Sequence, residues 1–230
     1  MTAIALRTSN SARPVLDLLL PAFEKESGHQ VELILDTAKN SLARIEAGER
    51  GDAAVLLGTS IDKLAARGIL TAASAQPFSR SIIGIAVLKG APRPDISTVD
   101  AFKRTLLNAQ SIAHTVHGPS GAYFPGLMQR LGIAEQIKPK EVTRPGGYIG
   151  VVVAAGEAQM AFQQIVELMA VPGLDVIGPI PPELQFNFDS KAALFADTKN
   201  PAAARAMLAF FARPENASTF REAGLEQLPL

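Results

Sequence analysis

Apolar positions along the chain switch repeatedly between β-like runs and helical spacing. Ile4, Ala5 and Leu6 open a first strand-like run that ends at Thr8, before the polar turn Ser9-Asn10-Ser11. Val15, Leu18, Leu19, Ala22 and Phe23 then fall at i, i+3, i+4, i+7 and i+8, the stripe of an amphipathic helix over 14–25. Pro14 suits its first turn, Gly28 stops it, and Pro21 predicts a kink or a split. A second strand, 31–35, leads through Asp36-Thr37-Ala38-Lys39-Asn40-Ser41 into a helix over 42–47, with Asn40 or Ser41 as the expected N-cap. A short buried strand at 53–57 and a helix at 61–66, stopped by Gly68, follow.

Residues 80–88 form the longest β-like run. A capped helix is predicted over 95–108, with Ser97 or Thr98 near its start, and a strand over 111–116. The Gly-rich turn 117–121 precedes a helix over 123–131, and a short strand at 141–143 precedes Arg144-Pro145-Gly146-Gly147. Residues 148–155 are helix-compatible. Met160-Ala161-Phe162 is a short strand with Gln163 and Gln164 at its carboxyl end, and 175–180 is another. Apolar and polar residues alternate over 186–195, which predicts a more exposed strand. Asn200 is the expected N-cap of a helix over 201–211, with Pro201 at its first position, and a last helix runs over 214–223.

Strands alternating with helices predict an α/β fold with largely parallel sheets, in which ligands gather at strand carboxyl ends beside helix N-termini. Four such junctions carry small polar residues: Ser9/Ser11, Thr37/Lys39/Asn40, Ser120/Gly121 and Gln163/Gln164. Together they predict a cleft lined with hydrogen-bond donors.

Composition narrows the chemistry. The 22 basic and 22 acidic residues balance, and no Lys/Arg run suggests a nucleic-acid or anionic-membrane partner. There is no cysteine, and with three histidines (His29, His114, His117) a multi-histidine metal site is not expected. No metal and no cofactor is expected. No segment approaches the ~20 apolar residues of a membrane span, so membrane insertion is not expected. Met1 runs straight into the first strand, which as written points to the cytoplasm; a trimmed leader peptide would point to the periplasm instead. No Gly-x-Ser-x-Gly elbow, P-loop, dinucleotide fingerprint or His-Glu-x-x-His is present.

Several local sequences, in order, carry a resemblance. They are Ser9-Asn10-Ser11, Phe23-Glu24-Lys25-Glu26-Ser27-Gly28, Ser41-Leu42-Ala43-Arg44-Ile45-Glu46-Ala47-Gly48 and Gly51-Asp52-Ala53. Leu64-Ala65-Ala66-Arg67-Gly68-Ile69-Leu70, Pro119-Ser120-Gly121-Ala122-Tyr123, Arg130-Leu131-Gly132-Ile133, Gly156-Glu157-Ala158 and the closing helices over 206–224 continue it. The chain resembles the periplasmic molybdate-binding proteins of ABC transporters. That resemblance implies a two-lobed type II periplasmic-binding-protein fold with a central ligand cleft and two hinge crossings. Lobe one is then expected at 1–81 and 181–230, and lobe two at 82–180. Residues 90–100 and 162–168 resemble a divergent branch of the same superfamily, similar to aconitate isomerase.

In the molybdate-binding family, ligand contacts come from a serine in the first loop, a serine in the second, backbone near the Pro-x-Gly turn, and a later tyrosine. By resemblance, Ser11 takes the first position, Lys39 the second and Gln164 that of the tyrosine, with Ser120 and Gly146 at the backbone positions. Ser9, Thr37, Asn40, Gly121, Tyr148 and Gln163 are the remaining expected ligand contacts. A lysine among neutral donors suits a carboxylate better than molybdate. The expected function is therefore binding of a small anionic metabolite, a di- or tricarboxylate, in the cleft. One alternative is an allylic isomerase of the aconitate-isomerase kind, with Lys39 and His117 as catalytic acid–base candidates. Another is an oxyanion-binding component of an ABC transporter, for which a transporter partner is expected only if a leader was removed. Outside the expected site, His117 also reads as a solvent-facing loop residue and His114 as a hydrogen-bonded core residue. A monomer is expected.

Overall fold

Alternating strands and helices build two separate sheets in the computed structural model, which describes residues 3–230; the first two residues of the expected first lobe lie outside them. In chain order the first elements are β1 (Ala3–Ser9), α1 (Arg13–Ser27), β2 (Gln30–Asp36), α2 (Ala38–Glu46), β3 (Ala53–Leu57), α3 (Gly58–Ala66) and β4 (Gln76–Ser81). Then come β5 (Ile83–Leu88), α4 (Val99–Asn108), β6 (Ile112–Thr115), α5 (Pro119–Arg130), α6 (Ala134–Ile137) and β7 (Glu141–Arg144). They are followed by α7 (Gly150–Ala154), β8 (Met160–Gln164), α8 (Ile165–Met169) and β9 (Leu174–Pro179). The chain closes with β10 (Phe188–Leu194), α9 (Pro201–Phe211), α10 (Ala217–Glu222) and β11 (Glu226–Gln227).

Two compact units divide the chain. Unit 1 takes in the described residues up to Arg80 together with Phe188–Leu230, and unit 2 is Ser81–Asn187. The sheet of unit 1 has the order β11-β4-β10-β3-β1-β2. Strand β1 lies parallel to β2 and β3, whereas β10 runs antiparallel to β3 and β11 antiparallel to β4. Ile45, Leu56, Ile61, Leu64, Leu70 and Phe195 fill one of its cores. The sheet of unit 2 has the order β7-β6-β8-β5-β9. Here β6 is parallel to β7 and β8, and β5 is antiparallel to β8 and β9. Ile149, Val152, Val153 and Leu168 pack on its Ala86, Ala113 and Ala161. Burying each such Leu, Ile or Phe contributes roughly 1.5–3 kcal/mol.

Several expectations need correction. The sheets are mixed rather than largely parallel, because the strands that follow each crossing, β5 and β10, enter antiparallel to their neighbours. The long run 80–88 is two strands: β4 ends at Ser81 and β5 begins at Ile83, in different sheets. Its apolar residues 83–88 belong to β5 alone, and Arg80-Ser81 is the end of β4. Unit 2 extends by contact to Asn187. Residues 181–187 stay with unit 2 because the Gln185 side chain brackets Ile83, accepting from its N–H at 3.0 Å and donating to its carbonyl at 2.6 Å. Tyr123 Oη adds a bond to the Leu184 carbonyl at 2.8 Å.

Strand β10 is less exposed than expected, with Asp189 the one exposed residue along it. It is an interior strand of its sheet, and its polar residues are paired: Asp189 with Arg80, and Lys191 with Asp62. Helix α1 continues through Pro21 without splitting. Helix α2 begins at Ala38, earlier than expected, with Thr37 as its cap. Asn200 occupies the N-cap position of α9, but its side chain reaches instead to the Asp52 carboxylate and the Ala3 carbonyl. Among the described residues, no helix is long and apolar enough to cross a membrane.

Candidate functional site

In unit 2 the parallel strands β6 and β8 register Ala113 against Ala161, which places the carboxyl ends of both strands side by side. The turn after β6 feeds α5, whose first position is Pro119 and whose N-terminus has no side-chain cap. The first N–H groups of such a helix have no intrahelical acceptor, and the helix dipole favours an anion there. Gly121 lets this turn close on the strand: a Cβ there would collide with the Thr115 carbonyl, and one on Gly118 would lie 2.5 Å from Thr115 Oγ1. The hydroxyls of Thr115 and Ser120 are therefore enclosed. Both residues are 1% exposed, and neither hydroxyl has a hydrogen-bond partner in the protein. A buried hydroxyl left unpaired costs roughly 1–3 kcal/mol, and this helix start carries two that the protein itself leaves unused.

The neighbouring loops are held by the protein itself. His117 N–H donates to the Pro145 carbonyl at 3.0 Å and Val116 N–H to the Arg144 carbonyl at 2.8 Å, tying the loops after β6 and β7 together. Gln163, 1% exposed, donates to the Gly147 carbonyl and accepts from Ile149 N–H, both at 2.8 Å. Its amide thus fixes the backbone that carries Gly146 and Tyr148, both half-buried. Gln164, also 1% exposed, donates through Nε2 to Glu167 Oε2 at 3.2 Å. Glu167 is 6% exposed and sits in the first turn of α8. Burial away from any cation pushes its carboxyl up to about 8, against the lowering effect of the Gln164 and Gln163 amides. The His117 side chain is exposed. His114 is a core residue, with Nδ1 3.0 Å from the Thr115 carbonyl, Nε2 3.0 Å from Glu141 Oε2, and its ring stacked on Phe124.

Unit 1 offers a second set of polar strand ends. Ser9 is buried, and its Oγ lies 3.3 Å from Ser11 Oγ; neither caps α1, whose N-cap position is Ala12. The start of α2 satisfies itself. Thr37 Oγ1 accepts from Asn40 N–H at 3.3 Å, and Asp36 Oδ1 accepts from Thr37 N–H at 2.7 Å and Asn40 Nδ2 at 3.0 Å. Ser41 donates to the Thr8 carbonyl at 3.0 Å and so pins α2 to β1. Thr37 and Asn40 are thus committed to the cap, with the Asp36 carboxylate already in the place an anion would take. Lys39 projects from the first turn of α2 and is exposed, so it lacks the burial that a lysine base requires.

Expected contacts therefore fall into one group in each unit: Ser9, Ser11, Thr37, Lys39 and Asn40 in unit 1, and Ser120, Gly121, Gly146, Tyr148, Gln163 and Gln164 in unit 2. Two residues were not anticipated. Thr115 is the last residue of the short buried strand just ahead of the Gly-rich turn, and Glu167 stands three residues after Gln164, the spacing of a capping box. Among the described residues no cluster of His, Asp and Glu is arranged to hold a metal ion.

Known proteins share this architecture. The periplasmic molybdate-binding protein of Azotobacter vinelandii superimposes with a TM-score of 0.81 over 99% of this chain and 100% of that one, at 17% identity. The sulfate-binding protein of Mycobacterium tuberculosis H37Rv does so at 0.80 over 99% and 88%, also at 17% identity. At such identity the likeness is one of fold, that of the periplasmic binding proteins. In sequence, an aconitate isomerase from a Pseudomonas species is 34% identical over 235 residues, covering 100% of this chain and 89% of that protein. Residues 4–226, from the first strand to the last, match the bacterial extracellular solute-binding proteins, and the chain belongs to that family.

Proposed function

We propose that this protein binds a small carboxylate anion, received by the first turn of α5 and the hydroxyls of Thr115 and Ser120. The observation that carries this reading is the pair of enclosed hydroxyls without a protein partner at that helix start. A carboxylate or oxyanion accepts from hydroxyl and backbone N–H groups alike, and each such charge-assisted bond is stronger than a neutral one. The relative named aconitate isomerase supports a di- or tricarboxylate.

That same relative supports a second reading, in which binding is followed by an allylic shift. A proton leaves one carbon of the tricarboxylate and another is returned at the far end of the displaced double bond. Such a shift is redox-neutral and needs an acid–base group rather than an oxidant. His117, exposed in the loop after β6, is the side chain we assign to that task.

A thermal-shift screen of molybdate, tungstate and sulfate against citrate, cis-aconitate and trans-aconitate tests the first reading. At 100 times its dissociation constant a carboxylate should add about 2.7 kcal/mol of stability, and Ser120→Ala should reduce that gain. Stabilisation by molybdate or tungstate but by none of the carboxylates would overturn it. Proton NMR of trans-aconitate incubated with the protein tests the second: the cis isomer is expected, and an unchanged spectrum removes the isomerase reading for that compound.

A further inference from the structure

His114 is a buried titratable group that the binding reading leaves without a task. Its ring stacks on Phe124 of α5, and each nitrogen faces an oxygen at 3.0 Å: Nδ1 the Thr115 carbonyl, Nε2 the Glu141 carboxyl. A carbonyl oxygen only accepts, so Nδ1 carries a hydrogen. A carboxylate only accepts as well, so either Nε2 carries a second hydrogen or Glu141 supplies one as an acid. In both arrangements the pair holds one proton more than a neutral imidazole beside a carboxylate. Other titratable groups on the elements packed against β6 are turned elsewhere. Strand β8 and helix α7 carry none. On β7, Arg144 pairs with Glu157 at 2.6 Å, and Lys140, just before that strand, donates to the Leu107 carbonyl. On α5, Tyr123 donates to the Leu184 carbonyl and accepts from Arg130. His117, in the loop beyond β6, is exposed.

The pair touches the anion site directly. The carbonyl that Nδ1–H holds belongs to Thr115, whose hydroxyl is one of the two enclosed at the start of α5, and it is the carbonyl on which Gly121 closes. Removing the shared proton to solvent leaves one N–H for two acceptors. The carboxylate is the stronger acceptor, so the remaining hydrogen moves to Nε2 and a bare Nδ1 lone pair faces the Thr115 carbonyl. The pair also changes from neutral to singly negative behind the strand end. Both changes oppose an anion: one loosens the turn that presents the donors, and the other repels the charge they receive. We infer that His114 is a positioning residue of this site, acting through Thr115, and that the proton it shares with Glu141 makes ligand uptake tighter when bound than when lost. This role rests on the anion-binding reading of the α5 start and adds to it a regulating proton.

Affinity should therefore fall as pH rises, by up to about tenfold per unit for one linked proton. Calorimetry with trans-aconitate at about pH 5.5 and about pH 8.5 reads the change. In Glu141→Gln the amide donates to Nε2 and leaves the hydrogen on Nδ1 at either pH, so this conservative variant should lose the linkage. Any ionisation of the probe is common to both proteins and cancels between them. Across that range the wild-type dissociation constant should rise about tenfold more than that of the variant. An equal rise in the two proteins would overturn the inference and leave the binding reading standing. Absence of trans-aconitate, citrate and oxyanion binding at either pH would remove both. In the ligand-free protein, ¹⁵N spectra of the His114 ring should show a hydrogen on Nδ1 at the lower pH and on Nε2 alone at the higher. A ring whose protonation is the same at both overturns the inference without reference to any ligand. If Glu141→Gln does not fold, those wild-type spectra decide.

Discussion

Ser120 shows how a single side chain can be costly to the free protein and useful to the bound one. Its hydroxyl is enclosed and unpaired, so replacing it removes a desolvated polar group rather than a bond. We expect Ser120→Ala to leave the unfolding free energy of the ligand-free protein unchanged or raised by up to about 1 kcal/mol. The same change should weaken carboxylate binding by roughly tenfold or more, the worth of a hydrogen bond to a charged group. Denaturant titration and calorimetry on one preparation read both effects. Loss of stability without loss of affinity would assign the hydroxyl to packing instead. Lys39 is a contrasting case. Its residue type argued for a carboxylate before any geometry was known, and it stands exposed beside Thr37 and Asn40, which cap their own helix.

At the scale of elements, the first turn of α8 places a carboxyl where water cannot follow. Folding raises the Glu167 carboxyl from 4.5 to about 8, so between those values the native state binds more protons than the unfolded chain. Stability therefore falls as pH rises through that window. Between pH 5 and pH 8 this group alone should account for about 4 kcal/mol, at about 1.4 kcal/mol per unit. Glu167→Gln should flatten the corresponding part of the denaturant-derived profile. Strand and helix periods made most elements legible in the sequence, including α4, whose predicted cap Thr98 accepts from Ala101 N–H at 3.1 Å. They could not show that 80–88 serves two sheets, since Arg80-Ser81 reads as the start of the apolar run of β5 rather than as the end of β4. Nor could they show Glu167 as buried. Ile165-Val166-Glu167-Leu168 reads as a helix with one solvated charge, and only packing against β5, β8 and β9 removes that solvent. The polar junctions were visible, but the choice between capping and ligation was not. That choice depends on where neighbouring carbonyls fall, as Asp36 and Thr37 illustrate.

On the scale of the whole molecule, unit 1 is assembled from two distant stretches of chain and unit 2 from one. Asp52 is a knot in the first. Its carboxylate accepts from Ala5 N–H at 2.9 Å, Thr198 Oγ1 at 2.5 Å and Asn200 Nδ2 at 3.3 Å, drawing the early and late segments together. Burial alone would raise this carboxyl, but those bonds hold it below the ordinary range. Strand β10 completes the join, lying in the sheet between β3 and β4, which precede it by more than a hundred residues.

That interior position of β10 bears on how the protein is made. A ribosome releases residues 81–187 before β10, so the later unit has all its strands while the earlier one still has a gap in its sheet. Until Phe188–Leu194 emerges, β3 and β4 each present an unpaired edge, the kind of surface that recruits strands from other chains. On nascent chains stalled just after residue 187 clears the exit tunnel, pulse proteolysis should find 81–187 protected and β1 to β3 digested. The part of the chain synthesised first would then be the last to fold, and exposure during translation would depend on the time taken to add the forty or so residues after 187 that complete unit 1.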